Sequence, residues 1–292
     1  MSDRGLIAPT EWRRPGVRRL TRGLQGALLA ALFAAGLGPL LWLAKAAVTP
    51  TQDTLRDPLA LWPHGIDFAN LVTAWTRVEV GKYFLNTVWV ALGAWLVQLL
   101  VATTTGYALA VLKPRYHKVV TAIVMATLFV PSVVLLVPLY LSMVDTPLLH
   151  TSLINTFWAV WLPAGANAFN VILVQRFFAN LPREVFEAAR VDGAGPVRIF
   201  VSVVLPMSKP ILGVVSVFAV IASWKDFLWP MLVLPDPAVQ PLSVRLPALQ
   251  TFVELDVFLA ALAIATVIPV ALFLVFQRLV LRGDALSGAV KG

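Results

Sequence analysis

The sequence predicts an all-α fold: a polytopic membrane protein with six transmembrane helices and a cytoplasmic helical hairpin between helices 4 and 5. Two observations predict it. Of the 292 residues, 59% are hydrophobic and only 13% are charged, whereas roughly a quarter of the residues in a soluble domain are charged. Apolar runs of about 20 residues also recur along the chain, and each is long enough to cross a ~30 Å hydrocarbon core as a helix.

Each predicted span is one of these apolar runs. The spans lie at about 24–48, 84–111, 118–142, 152–178, 209–234 and 256–281. Prolines fall inside them or at their ends, at positions 39, 131, 138, 163, 230 and 269. Because neighbouring helices or water satisfy the carbonyl groups that a proline frees, we expect kinks at these positions and not breaks.

The first span follows a basic segment, residues 1–23, and therefore has the outline of a secretory signal peptide, with Ala44-Lys45-Ala46 in the place of a cleavage site. Its apolar run is longer than the roughly 7–15 residues of a signal-peptide core. We expect an uncleaved first membrane helix, followed by a polar outer segment, so that residues 24–83 form one region of the chain.

The distribution of lysine and arginine predicts that both termini are cytoplasmic. With the N-terminus inside, most of the 23 basic residues fall in inner segments, as is typical of cytoplasmic loops. The outer segments hold Lys45, Arg56, Arg77, Lys82 and Arg245. The net charge of +8 therefore reflects topology and attraction to anionic lipid, and it does not indicate nucleic-acid binding.

The composition argues against catalysis by this chain. It contains no cysteine, which excludes disulfides and thiolate sites, and His64, His117 and His150 lack the spacing of metal ligands. The phosphate-loop pattern G-x-x-x-x-G-K-[ST] is absent from the sequence. We expect no enzymatic activity and no bound cofactor or metal, with any ATP hydrolysis on a separate polypeptide.

Residues 180–208, here called the hairpin, form the most polar connection between two spans. Asn180 is a predicted helix cap, Pro182 suits a first helical turn, and Gly193 is expected to end the helix. A second short helix is expected between Pro196 and Pro206. The residues alone allow an interfacial hairpin that only connects two spans, or a docking element for a soluble partner. In the second case the partner approaches a small apolar side formed by Val185, Phe186, Ala188 and Ala189.

The spacing within the hairpin favours docking. Glu187-Ala188-Ala189, then Gly193, then Val203-Val204-Leu205-Pro206 resembles the Glu-Ala-Ala…Gly…Ile-x-Leu-Pro signature of ABC importer permease subunits, with valine in place of isoleucine. The resemblance implies that the hairpin docks into a groove of the ATP-binding subunit. The implied contact residues are Glu187, Ala188, Ala189, Asp192, Gly193, Leu205 and Pro206.

Two further stretches resemble the maltose-type carbohydrate permeases. The stretch from Trp224 to Pro230, Trp-Lys-Asp-Phe-Leu-Trp-Pro, is similar to a Trp-Asn-x-Phe-x-Trp-Pro stretch of that family. The tail 283–292 ends in Gly-Ala-Val-Lys-Gly, like one of the two permease subunits in such systems. Lys225 departs from the more usual asparagine. A charge at membrane depth is a functional candidate, so Trp224, Lys225, Asp226 and Trp229 are the predicted substrate path. The alternative is a structural role for the two charges, which on a continuous helix point about 100° apart.

The resemblance extends from about residue 85 to the C-terminus and implies the rest of the assembly. The resemblance implies that residues 84–282 form the importer core and residues 283–292 a cytoplasmic tail, in a bacterial cytoplasmic membrane. The implied partners are a second homologous permease subunit, two ATP-binding subunits that hold ATP and Mg, an extracytoplasmic solute-binding protein and membrane lipid. The cargo is expected to be a sugar or oligosaccharide, with a polyol or sugar phosphate as the alternative. An ion-coupled secondary transporter is a remote alternative, because its paired intramembrane carboxylates are missing.

Polar and small residues inside the spans are predicted to serve packing. Gly93 and Gly106 are expected at close helix contacts. Interhelical hydrogen bonds are expected for Gln98, Thr103, Thr104, Thr105, Asn167, Asn170 and Gln175.

Overall fold

The computed structural model describes residues 15–62, 65–147 and 150–282. All regular secondary structure in these ranges is helical, without a strand, which confirms the predicted all-α class. The C-terminal tail, residues 283–292, lies outside the described residues.

The described chain contains 15 α-helices, most of them joined by short connections. The first half holds α1 (Pro15–Ala46), α2 (Thr51–Arg56), α3 (Ala69–Thr76), α4 (Val80–Tyr107), α5 (His117–Thr127), α6 (Leu136–Val144) and α7 (Trp158–Ala164). The second half holds α8 (Ala168–Ala179), α9 (Arg183–Val191), α10 (Pro196–Ile199), α11 (Leu205–Met207), α12 (Lys209–Lys225), α13 (Leu228–Val233), α14 (Leu242–Leu249) and α15 (Leu255–Arg282). A π-helical turn, Ala108–Leu112, extends α4, and a second one, Phe200–Val204, joins α10 to α11.

Two helices of the described chain are long and apolar enough to cross a membrane, Pro15–Ala46 and Val80–Leu112. Two further helix pairs meet the same criterion together but are sharply bent. The pair His117–Thr127 and Ser132–Val144 bends by 102°, and the pair Pro196–Met207 and Lys209–Lys225 bends by 79°. The count is therefore two, or four if each bent pair is one span.

The bend near Pro131 differs from the expected kink. The helix α5 ends at Thr127, and Pro131 precedes a short 3₁₀ turn, Ser132–Leu135, that leads into α6. Proline has no N–H group to continue the ladder, and it disfavours helical geometry at the residue before it. By contrast, Pro39, Pro163 and Pro269 each lie inside a helix, as expected.

The described chain divides into two compact units, one of residues 15–62, 65–74 and 254–263, and one of residues 75–147, 150–253 and 264–282. In the first unit the start of α2 and the start of α15 cap one another. The Thr51 N–H donates to a carboxylate oxygen of Asp256 at 3.3 Å, and the Asp256 N–H donates to Oγ1 of Thr51 at 3.2 Å. Most of the side chains along α1 are exposed.

The second unit is built around α4, which contacts α7, α8, α12 and α14. Two glycines of α4 permit this packing. A Cβ atom at Gly93 would collide with the indole of Trp161, and one at Gly106 would lie 2.9 Å from Cγ1 of Val174. Both positions therefore require the smallest residue, as predicted.

Candidate functional site

The hairpin begins with α9, which ends in a glycine turn. Gly193 has a φ of +75°, a conformation that glycine adopts without strain. The turn satisfies carbonyl groups at the end of α9: the N–H of Ala194 donates to the oxygen of Ala189 at 2.9 Å, and the N–H of Gly193 donates to that of Arg190 at 3.0 Å. The prediction that Gly193 ends this helix is confirmed.

The borders of the hairpin differ from the prediction in two places. Asn180 follows the last turn of α8, where its N–H donates to the carbonyl of Phe177, and Pro182 directly precedes α9. The second helix was expected to end before Pro206, but it runs from Pro196 to Met207. Pro206 lies near the C-terminal end of this helix, directly after the π-helical turn Phe200–Val204 and Leu205.

One side of the hairpin packs onto the ends of α4 and α8. Ile199 and Val204 are buried in a hydrophobic cluster that also contains Tyr107, Val174 and Phe178. The Tyr107 hydroxyl donates to the carbonyl of Pro196 at 2.9 Å. The hairpin is therefore held to the helix bundle by apolar contacts and by a hydrogen bond.

The opposite side of the hairpin is exposed. Glu187, Ala188, Asp192, Gly193 and Pro206 are exposed, whereas Ala189 and Leu205 are half-buried. Ala189 and Phe186 pack against the hydrophobic cluster of the bundle. The apolar side expected to receive a partner is thus divided: Phe186 and Ala189 contact this chain's own core, and Ala188 is the alanine available to another surface.

Three exposed valines on the hairpin were not singled out from the sequence. Val191 is 89% exposed, Val197 76% and Val201 54%. They lie among exposed polar residues, including Asp192 and Arg198. Val197 and Val201 are four residues apart in one helix, so they share a face that another molecule can cover. The sequence feature that could have indicated this surface is Val191, which directly follows Arg190 at the end of an amphipathic helix.

The predicted substrate-path residues lie mainly around one large cavity of about 720 Å³. Lys225, Asp226 and Trp229 line it, together with Gln98 and Asn167. Trp224 is not among the lining residues, and its ring packs instead against Phe84 with centroids 5.9 Å apart. The cavity size is within the ~300–1,000 Å³ typical of small-molecule sites.

Lys225 and Asp226 share this cavity because the helix ends between them. Lys225 is the last residue of α12, and Asp226 has an extended backbone with φ −67° and ψ 125°. The expected angle of about 100° assumed a continuous helix and is wrong here. The backbone N–H groups of Trp229 and Phe227 lie near the Asp226 carboxylate. The ion pairs of the described chain do not include Lys225, and its side chain is exposed.

A buried amide pair stands beside the cavity. Gln98 Nε2 donates to the carbonyl of Ala164 at 2.9 Å, and Asn170 Nδ2 donates to Oε1 of Gln98 at 2.6 Å. Gln175 likewise donates to Oγ1 of Thr121 on α5 at 3.0 Å. These bonds confirm the interhelical role expected for Gln98, Asn170 and Gln175.

Thr103, Thr104 and Asn167 form hydrogen bonds within their own helices, and not the interhelical bonds that we expected. The hydroxyls of Thr103 and Thr104 donate to carbonyl groups of their own helix, and Oδ1 of Asn167 caps α8 by accepting from the N–H of Asn170 at 3.0 Å. Hydroxyl groups satisfied within their own helix leave no donor for a neighbouring helix.

Comparison with known proteins relates this architecture to transport. The sequence pattern of a family described as "Binding-protein-dependent transport system inner membrane component" matches residues 102–283. The diacetylchitobiose uptake system permease protein NgcG of Streptomyces coelicolor is 33% identical, over 82% of this chain and 80% of that protein. The arabinooligosaccharides transport system permease protein AraQ of Halalkalibacterium halodurans is 32% identical, over 87% of this chain and 91% of that protein.

A solved structure has the same fold. A chain from a bacterial ABC transporter involved in the import of the acidic polysaccharide alginate superposes with a TM-score of 0.78. The match covers 89% of this chain and 96% of that chain at 22% sequence identity. The similarity therefore concerns the arrangement of helices.

Proposed function

Because this chain belongs to the family of binding-protein-dependent transport system inner membrane components, we propose that it is the permease subunit of an ATP-driven importer of a sugar or oligosaccharide. The observation that carries the proposal is the family match over residues 102–283, which contains the hairpin and most of the large cavity. The names of the relatives NgcG and AraQ, an uptake permease for diacetylchitobiose and a transport permease for arabinooligosaccharides, support an oligosaccharide as cargo.

The chain crosses the bacterial cytoplasmic membrane six times, with both termini and the hairpin in the cytoplasm. The spans follow α1, α4, the α5–α6 pair, the α7–α8 pair, α12 with α13, and α15. The excess of basic residues in the inner segments supports this orientation. In a membrane, neighbouring helices or water would satisfy the backbone groups that the breaks within these pairs leave free.

The absence of cysteine from the sequence makes this topology directly testable. Single cysteines at Val197 in the hairpin and at Leu59 in the outer segment are both at exposed positions. A membrane-impermeant maleimide applied to intact spheroplasts should label the Leu59→Cys variant and spare Val197→Cys until the membrane is opened. Labelling of Val197→Cys in intact spheroplasts would contradict the orientation.

The hairpin transmits the conformational change of two ATPase subunits, which bind ATP and Mg. Its exposed residues Glu187, Ala188, Asp192, Gly193 and Pro206 and the half-buried Leu205 contact the ATPase, while Ala189 packs against the bundle. ATP binding closes the ATPase dimer and moves the hairpin with it. The spans then rearrange between inward-facing and outward-facing states, a two-state equilibrium biased by a ligand at a remote site.

The large cavity forms this subunit's side of the solute path, and a second homologous permease subunit completes it. Lys225, Asp226 and Trp229 contribute an ammonium, a carboxylate and an aromatic ring to its lining. Amide groups of Gln98 and Asn167 add hydrogen-bonding groups suited to sugar hydroxyls. An extracytoplasmic solute-binding protein delivers the cargo.

Purification of the tagged chain from its native membrane tests this function. We expect a P-loop ATPase and a second permease to co-purify, and proteoliposomes of this complex to import oligosaccharide only with ATP and the solute-binding protein. Import driven by an ion gradient without ATP would contradict the proposal. Preferred uptake of a polyol or a sugar phosphate would support the importer function but contradict the proposed class of cargo.

A further inference from the structure

A second, smaller cavity lies where α9 meets the ends of α4 and α8. Its volume is about 220 Å³, below the ~300–1,000 Å³ typical of drug-sized ligands. Four charged residues line it: Lys113, Arg183, Glu187 and Arg190. The remaining lining is mostly apolar and includes Phe178 and Phe186. The cavity therefore suits one small charged group.

The charges around this cavity are not neutralised by one another. Three are cationic and one is anionic, which leaves two positive charges in excess. Glu187 is spaced to meet Arg183 or Arg190 on the same helix face, yet none of the four belongs to an ion pair in the described part of the chain. Cations that outnumber the carboxylates of a cavity attract an anion to it.

Lys113 has a backbone conformation that a lysine seldom adopts. Its φ is +49°, at the end of the π-helical turn that extends α4. A side chain in this left-handed region strains the backbone relative to the right-handed form, and glycine would avoid that strain. The turn itself does not require lysine at this position. The contribution of Lys113 is therefore the ammonium group that it places at the cavity.

We propose that this cavity binds a phosphate group, supplied by the headgroup of an anionic phospholipid in the inner leaflet. Basic pockets between membrane helices on the cytoplasmic side accept such headgroups. Leu112, Tyr116 and Val119, next to Lys113 in the chain, are 49%, 65% and 61% exposed and offer an apolar surface for the acyl chains. Because α9 forms one wall of the cavity, a bound headgroup stabilises the hairpin against the bundle.

The test compares lipid binding by the full-length chain, purified with its accompanying subunits, and by a Lys113→Gly, Arg183→Gln double variant. Glycine at 113 removes the ammonium and relaxes the backbone, so the variant is expected to fold. Each cation near a membrane surface contributes about fivefold in affinity for anionic lipid. Native mass spectrometry with phosphatidylglycerol should therefore show roughly 25-fold weaker binding by the double variant. Phosphatidylcholine should bind equally weakly to both proteins.

Arg198→Gln is the matched control, because Arg198 is an exposed cation of the same hairpin outside the cavity, and it should bind like the wild type. An equal loss in this variant, or no preference of the wild type for phosphatidylglycerol, would overturn the proposal. If inorganic phosphate protects the protein against thermal unfolding as well as phosphatidylglycerol does, the bound phosphate group does not come from a lipid. Loss of the ATPase from the purified double variant with unchanged lipid binding would assign the cavity to an acidic group of that protein instead.

Discussion

The hydroxyl of Tyr107 donates a 2.9 Å hydrogen bond to the carbonyl oxygen of Pro196, and so joins the last residue of α4 to the first residue of α10 in the hairpin. The same ring packs against Phe200 with centroids 5.0 Å apart. One tyrosine thus links a predicted membrane span to the segment proposed to contact the ATPase, by both a polar and an aromatic contact.

Replacement of Tyr107 by phenylalanine removes the hydrogen bond and keeps the ring contact. We expect the free energy of unfolding to fall by about 1 kcal/mol, the usual net value of one such bond, and ATP hydrolysis to become less tightly coupled to transport. Thermal unfolding and the ratio of ATP hydrolysed to solute imported measure these effects. Tyr140→Phe is the control, since its hydroxyl has no hydrogen-bond partner among the described residues; an equal change in both variants would contradict the prediction.

Gly193 and Gly195 form a matched pair of positions. Neither has an atom within 4 Å of an added Cβ, but only Gly193 has a positive φ. A side chain at Gly193 therefore costs about 1–2 kcal/mol through backbone strain alone. We expect Gly193→Val to abolish ATP-driven uptake while membrane abundance is unchanged, and Gly195→Val to transport normally. Normal uptake by Gly193→Val would remove the basis for the docking role of this turn.

Gly93 is expected to tolerate no side chain. Its added Cβ would occupy the position of the Trp161 indole, and overpacking of this kind costs roughly 1–3 kcal/mol. Thermal unfolding of Gly93→Ala should show that loss, and combining it with Trp161→Leu should cost less than the sum of the single changes. Gly38→Ala in α1, where no atom lies within 4 Å, should be neutral or slightly stabilising.

The buried pair of Gln98 and Asn170 predicts a strong coupling. Gln98→Leu leaves the Asn170 amide without its 2.6 Å partner, and an unsatisfied buried polar group costs about 1–3 kcal/mol. Adding Asn170→Leu should restore part of that stability, because no amide then stays unpaired. A double-mutant cycle on thermal unfolding measures the coupling, and strictly additive losses would show that the bond contributes nothing.

Lys225→Gln keeps a polar side chain, one bond shorter, and removes the positive charge from the large cavity. If a solute hydroxyl or acid contacts the ammonium, uptake should fall about 10- to 150-fold, which corresponds to the ~1.5–3 kcal/mol of a hydrogen bond to a charged group. Initial uptake rates at equal membrane abundance provide the measurement. Lys82→Gln, an exposed lysine paired with Glu79, is the control, and equal rates in both variants would assign Lys225 to a structural role.

Features set by one local requirement were predictable from the sequence. A glycine that follows an amphipathic helix marks a positive φ, and Gly193 has one. Gly93 and Gly106 lie on an apolar helix that must approach others closely, and both face side chains that leave no room for a Cβ.

Features set by the tertiary structure were not predictable in this way. Whether Pro131 bends a helix or breaks it depends on which neighbours satisfy the free carbonyl groups, and a single sequence does not show them. The end of α12 at Lys225 has no glycine or proline to mark it. Lys113 and Arg183 are far apart in the chain, and only the packing of α4 and α8 under α9 brings them to one cavity.

Ser208 alone separates Met207, the last residue of α11, from Lys209, the first residue of α12, at the 79° bend. The serine is fully buried, so no slack loop exists there to absorb movement. The 17 residues of α12 make a rod about 25 Å long with Lys225 at its far end. A tilt of about 10° at Ser208 would therefore displace the wall of the large cavity by about 4 Å. If the hairpin moves along the membrane surface as proposed, the rigid link at Ser208 converts that displacement into a lateral movement of the cavity wall near Lys225.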